Sequence, residues 1–341
     1  MKQAFRIAAF LLLAAVVLPA AQAADVTKVG TTAAKFLSIP VGARALGMGG
    51  SFAGIADDAT AMYWNAAGIA RLQRTEAIFT HINWIADIRF NYGGVVLPAG
   101  ELGTFGVNIT ALSMDEMERT TEEQPEGTGT TFSSGSLAIG VSYARNLTDW
   151  FSIGTTIKYV NEHIWNSSAT SIGIDVGTLF NTPFSGLRFG VGMFNFGPKL
   201  QMSGDDLLVQ KDISANAGNN ANVNANLSTE KFDMPLTLRL GICYEPIVDE
   251  DQRLLVSVDA IHPNDNTESV SLGAEYSLFK RIVSVRAGYK DLFRQSSEEQ
   301  FTVGAGINYA FGENLAIRLD YAFERFGRLK DIHQFGVSLL F

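Results

Sequence analysis

"FTVGAGINYAFGENLAIRLDYAFE", residues 301–324, decides the fold. Phe301, Val303, Ala305, Ile307, Tyr309 and Phe311 fall on one face of an extended chain, and Thr302, Gly304, Gly306, Asn308 and Ala310 on the other. After "GE" at 312–313 the pattern resumes, with Leu315, Ile317, Leu319, Tyr321 and Phe323 set against Ala316, Arg318, Asp320, Ala322 and Glu324. Successive side chains of a strand point to opposite faces, so each run has one oily and one wet side. Strands in globular proteins are most often about five or six residues long. Runs near ten, joined by a tight turn, match the roughly 9–11 residues that a tilted strand needs to cross a bilayer.

Working outward, the same alternation predicts about fourteen strands, near 75–84, 88–98, 102–113, 132–145, 150–165, 168–182, 185–197, 232–245, 251–262, 267–279, 282–290, 298–311, 313–324 and 331–341. An even number suits a single-chain bacterial barrel. The links sort by parity. Even-numbered links are short: "PAGE" (98–101), "NLTD" (146–149), "TPFS" (182–185), "PIVDE" (246–250), "KR" (280–281) and "GE" (312–313). The two long links, 113–131 and 198–231, are odd-numbered, and the second holds the Asn- and Ala-rich run "QKDISANAGNNANVNANLS". Short periplasmic turns opposite longer outer loops are the barrel asymmetry, and a sandwich has no reason to reproduce it. Trp150 and Phe184 lie at the short-turn end and Trp84 and Trp165 at the long-loop end, which predicts two aromatic girdles. Phe341 ends an amphipathic strand, as in the sorting signal of outer-membrane barrels.

Composition agrees. Lys2 and Arg6, the apolar run 7–18 and "PAAQA" at 19–23 predict a secretory signal peptide over 1–23. Beyond it no run of roughly 18 apolar residues predicts a membrane helix. The formal charge of -9 argues against a nucleic-acid partner. Cys243 is the only cysteine, so no internal disulfide forms. No hydrolase, zinc-protease or phosphate-loop motif is present, and His81, His163, His262 and His333 are scattered. The expectation is a non-enzyme with no cofactor and no metal.

Residues 24–73 carry no strand pattern. About fourteen strands enclose a real lumen, and this segment is predicted to plug it, leaving 74–341 as the barrel. Asp57 or Asp58 and Asn65 are candidate helix caps, and Gly42, Gly47, Gly49, Gly50 and Gly54 permit sharp turns. Met48, Phe52, Met62, Tyr63 and Trp64 serve as plug core or line an apolar ligand pocket. The inward strand faces carry mixed charge: Lys158, Asp175, Arg188, Arg239, Asp259, Glu275, Arg286, Arg318, Asp320 and Glu324. Some of these pair with Arg44, Asp57 or Asp58, and others solvate the lumen. Gly173, Gly177, Gly190, Gly192, Gly241, Gly273, Gly304 and Gly306 share the inward faces, where a missing side chain lets a plug lie close to the wall.

"AAKFLSIPVGARALGMGGSFAGIADDATAMYWNAAGIA" (33–70), with "DAIHPNDNTESVSLGAEY" (259–276) and "VRAGY" (285–289), resembles the PorV/PorQ family. Ala66 stands where that family usually has proline after Trp-Asn. The resemblance implies a FadL-like, fourteen-stranded outer-membrane barrel with an N-terminal hatch. It also implies a role in type IX secretion, with secreted cargo proteins or secretion-system components as partners. The outer loops would then bind cargo, and the acids Asp115, Glu116, Glu118, Glu122 and Glu123 would favour a basic partner. The alternative is a FadL-like channel for a hydrophobic ligand. Either reading makes outer-membrane lipid the surrounding partner.

Overall fold

The structure, a computed structural model, describes residues 28–212, 222–294, 297–298, 300–312 and 314–341. The predicted signal peptide, residues 24–27 of the predicted plug, residues 213–221 of the Asn- and Ala-rich run and residue 313 of the "GE" turn lie outside the described residues.

Fourteen long strands form the wall: β1 (Glu76–Asn83), β2 (Arg89–Pro98), β3 (Thr104–Ser113), β4 (Ser134–Thr148), β5 (Phe151–Ile164), β6 (Ser167–Asn181), β7 (Leu187–Phe196), β8 (Thr237–Val248), β9 (Arg253–Pro263), β10 (Ser269–Leu278), β11 (Val283–Leu292), β12 (Phe301–Phe311), β13 (Leu315–Glu324) and β14 (Ile332–Leu340). Each pairs antiparallel with the next, and β14 returns to β1 with Glu76 opposite Leu340 and Ile82 opposite Gln334. Closure leaves no open edge, which is what a sheet immersed in hydrocarbon requires.

The strands fall close to the sequence pattern, with one clear displacement. The pattern starts the eighth strand at 232, but β8 begins at Thr237. Pro235 has no N–H to give to a ladder. Phe232 instead pairs with Leu200 in a short ribbon of the β7–β8 link. The "NLTD" turn is also shorter than read, because β4 continues to Thr148 past a register shift at Asn146.

Side-chain parity sorts the two faces. Phe79, Val141, Ile157, Ile172, Ile307 and Phe335 project outward and are exposed, whereas Thr80, Thr156, Asp175, Asp259, Glu275 and Glu324 point inward and are buried. An apolar exterior around the whole circumference is made for lipid. At the short-turn end Trp150 is exposed and stacks edge-on against Phe180 at 5.3 Å, beside the exposed Phe184. At the other end Trp165 is exposed under Arg119, at 5.1 Å. Trp84, however, packs edge-on against Phe326 at 5.6 Å rather than standing free in the girdle.

Candidate functional site

The lumen holds the N-terminal chain. Among the outer links, Lys35 Nζ meets Asp265 at 2.6 Å, the Ala34 N–H donates to Glu162 at 2.9 Å, and Thr32 bridges to Asp233. At the opposite end Asn146 donates to the Ala70 carbonyl at 2.9 Å, and Arg71 binds Ser152 and Asn181. Between these ends lie α1 (Ala43–Gly47), packed against β11 to β14, and α2 (Ala61–Trp64). A 3-10 turn (Ala66–Arg71) follows, packed against β4 to β6. Met48, Phe52, Met62 and Trp64 are fully buried. Helices this short are marginal on their own, so the wall must hold them.

Local chemistry sets the path. After α1, Gly49 and Gly50 both take positive φ (68° and 70°), and their N–H groups return to Leu46 and Ala45 at 2.9 Å. This left-handed pair reverses the chain where a side chain would be strained. Asn65 accepts from the Ala67 N–H and so caps the 3-10 turn as read, even without the family's proline. Neither expected carboxylate caps α2, whose N-cap is Thr60; Asp58 instead turns the chain ahead of it, accepting from the Thr60 N–H at 2.9 Å and from the Thr60 hydroxyl. Asp57 caps nothing. It pairs with Arg44 and, at 3.3 Å, with Arg253 of β9.

The wall is shaved where the insert touches it. A Cβ added at Gly190 would overlap the Ala53 carbonyl, at Gly177 the Asn65 side chain, at Gly241 the Gly54 N–H and at Gly273 the Met48 carbonyl. One on Gly47 would sit 3.0 Å from the Gly304 Cα. Gly154 and Gly288, which the sequence reading passed over, meet Ala66 and Gly49 in the same way. Gly173, Gly192 and Gly306 face other wall side chains (Met234, Phe194 and the Arg286–Asp320 pair) and not the insert.

Charges join the same surfaces. Arg44 holds Glu275 through two bonds of 2.8 Å and reaches Asp57 and Asp58 with its third nitrogen. Glu275 also binds Arg286 at 2.6 Å, and Arg286 binds Asp320 at 2.7 Å. Arg318 links Asp320 (3.3 Å), Asp58 (3.7 Å) and Glu76. Glu245 joins Arg188 and Arg253. Asp259 accepts from Ser51 (3.1 Å) and from the backbone of Phe52 (3.0 Å) and Ala53 (2.9 Å). Lys158 pairs with Asp175 at 2.8 Å. Burial works to raise the Asp57 pKa, but Arg44, Arg253 and Arg188 together hold its carboxyl well below the usual range. Paired buried ions add little net stability, but they penalise any arrangement that separates them. Glu76, Glu245 and Arg253 were absent from the sequence-derived set. The signal was available, since Glu76 shares the inward parity of Ile78 and Thr80.

A cavity of about 180 Å³ remains between the insert and the wall on the outer side. Tyr63, Trp64, Phe194, Ile261, Lys158 and Arg239 are among its lining. Met48, Phe52 and Met62, offered above as pocket residues, are packing core and do not line it. The outer-loop acids do not converge. Asp115 pairs with Arg89, Glu116 accepts from Thr131 at 2.8 Å, and Glu118, Glu122 and Glu123 are exposed. His81, His262 and His333 bond to separate neighbours, and among the described residues no His, Cys, Asp or Glu side chains are grouped as a metal site.

A closed fourteen-stranded barrel with a lipid-facing exterior and a chain-filled lumen is an outer-membrane barrel fold, and its place is the bacterial outer membrane. Solved structures agree on that fold. The CymD monoaromatic hydrocarbon channel is 16% identical, with a TM-score of 0.54 over 89% of this chain and 97% of that one. A FadL homologue from Pseudomonas aeruginosa is 14% identical, with a TM-score of 0.54 over 89% and 98%. The Pseudomonas putida toluene transporter TodX is 14% identical, with a TM-score of 0.55 over 88% and 97%. In sequence, residues 12–159 match the model of an uncharacterised protein family, UPF0164. No curated protein matches in sequence. These matches support the FadL-like barrel. The secretion role implied by the PorV/PorQ resemblance draws no support from them.

Proposed function

We propose that this protein is a channel for small, largely apolar molecules across the outer membrane, with residues 33–72 acting as the plug that keeps the lumen shut at rest. It is not an enzyme and holds no cofactor. Its barrel is the one used by hydrocarbon and toluene channels of similar fold. The observation that carries the reading is the cavity between the N-terminal insert and the outer part of the wall, with Tyr63, Trp64 and Phe194 in its lining. Small-molecule sites are concave, with placed polar groups that fix orientation, and here Lys158, Asn195 and Arg239 stand beside those rings. A molecule stopping there has the outer loops behind it and the insert ahead of it, so the insert must shift for passage.

The test is uptake by whole cells. Cells lacking the protein should take up a dilute labelled monoaromatic hydrocarbon more slowly than cells that carry it, and restoring the gene should restore the rate. Equal rates with and without the protein, across a panel of neutral aromatic and aliphatic compounds, would end this reading.

A further inference from the structure

The wall of the cavity carries several cations, and nearly all are neutralised. Lys35 has Asp265 at 2.6 Å, Lys158 has Asp175 at 2.8 Å, Lys290 has Glu324 at 2.7 Å, and Arg294 has Asp291. Arg239 differs in having no bonded acid, although the charge of Asp259 acts on it from farther off. Among the described residues no carboxylate lies within 4.0 Å of its guanidinium. The nearest inward acid across the β8–β9 pair is Asp259, whose oxygens are taken by Ser51, Phe52 and Ala53. What holds Arg239 is aromatic. Its guanidinium carbon stands 4.7 Å from the centre of the Trp64 ring and 5.8 Å from that of Phe194. Trp64 is itself fixed by donating its indole N–H to the Val41 carbonyl at 2.8 Å.

Contact with ring faces leaves the N–H edge of a guanidinium without a bonded acceptor. That edge carries N–H donors in a planar fork that fits a carboxylate. A guanidinium fork that bonds no carboxylate, beside a small cavity, is a receptor for one anionic group. The space beside it limits the rest of the ligand. A cavity of about 150 Å³ has room for benzene; this one measures about 180 Å³, opens toward the outside and mixes rings with charged groups in its lining.

We propose that the cavity selects compact aromatic carboxylates, with the carboxylate on the Arg239 edge and the ring among Tyr63, Trp64 and Phe194. The proposal rests on the channel reading and narrows it to a ligand class. A neutral single ring fits the space but leaves the fork unused.

Calorimetry on the purified full-length barrel in mild detergent tests this with benzoate and its neutral isostere benzamide. Benzoate should bind about tenfold or more tightly than benzamide, as expected for a charge-assisted pair of hydrogen bonds. Arg239→Gln should abolish that preference, and Arg239→Lys should keep only part of it because a point charge replaces the fork. Retained heat-modifiable migration on gels shows that each variant is folded, and the wild-type comparison stands if a variant is not. Equal binding of the two ligands to the wild type, no binding of benzoate, or an undiminished preference in Arg239→Gln overturns the proposal. If benzoate discrimination fails while the protein still speeds uptake of neutral monoaromatics, the channel reading survives alone. If uptake of neutral compounds is unaffected but benzoate binds through Arg239, the channel reading falls and the anion site stands.

Discussion

Arg44 is the most connected link between the insert and the wall, and replacing it by methionine should unblock the lumen without unmaking the barrel. The guanidinium makes two 2.8 Å bonds to Glu275 on β10 and meets Asp57 and Asp58 within the insert. Removing one partner of a buried ion pair costs about 3–5 kcal/mol. Each carboxylate left behind keeps a second cation: Arg286 for Glu275, Arg253 for Asp57 and Arg318 for Asp58. The lower bound therefore applies, about 3 kcal/mol, which raises the undocked population of the insert by about a hundredfold. Planar-bilayer recordings should show frequent, long openings in Arg44→Met where the wild type is nearly silent. Adding Glu275→Gln should change this by less than the sum of the two single effects, because the residues share one contact. An Arg44→Met barrel with wild-type open probability would refute the claim that this network holds the insert in place.

Three further outcomes are expected. Because the Asp57 carboxyl is held below the usual range, its contribution is present above the ordinary aspartate pKa and is lost only as pH falls through the depressed one. The conductance difference between Asp57→Asn and wild type should therefore be the same at pH 8 and pH 5, and a difference that disappears at pH 5 counts against this pairing. Gly190→Val drives a side chain into the Ala53 backbone and should yield a folded but leaky barrel, whereas Gly93→Ala, whose added Cβ meets nothing nearer than 3.6 Å, should behave as wild type in the same recordings. Val141→Arg places a charge on the lipid face midway along β4 and should lower barrel stability by about 2–4 kcal/mol, read as the urea midpoint of folding into liposomes.

The barrel was legible because alternation is a property of the chain itself. Phe301 to Phe311 and Leu315 to Phe323 separate into two faces whatever they later touch. The inward charges were legible by the same parity. Their partners were not, because parity gives the face of a residue but not its height or its neighbour across the lumen. Arg44 reaches Glu275, 231 residues away, only once the cylinder has closed. The start of β8 was misplaced because Phe232 fits the alternation but Pro235 cannot join the ladder. Arg239 looked like any other lumen cation, since the rings that clamp it come from the insert (Trp64) and from a neighbouring strand (Phe194).

The insert begins among the outer links at Thr32 and reaches the opposite rim at Thr75, whose carbonyl accepts from the Phe341 N–H beside the β1–β14 seam. A chain held along this length by a wall already zipped shut has no way in from the side. Laying down the first-made part before the last strand meets the first spares it a passage end-on through a finished cylinder. Assembly is then less like corking a bottle than like rolling a sleeve around an arm. A seam that joined first would leave the leading segment to thread the lumen lengthwise, past Arg286, Glu275 and Asp259 before reaching its own partners.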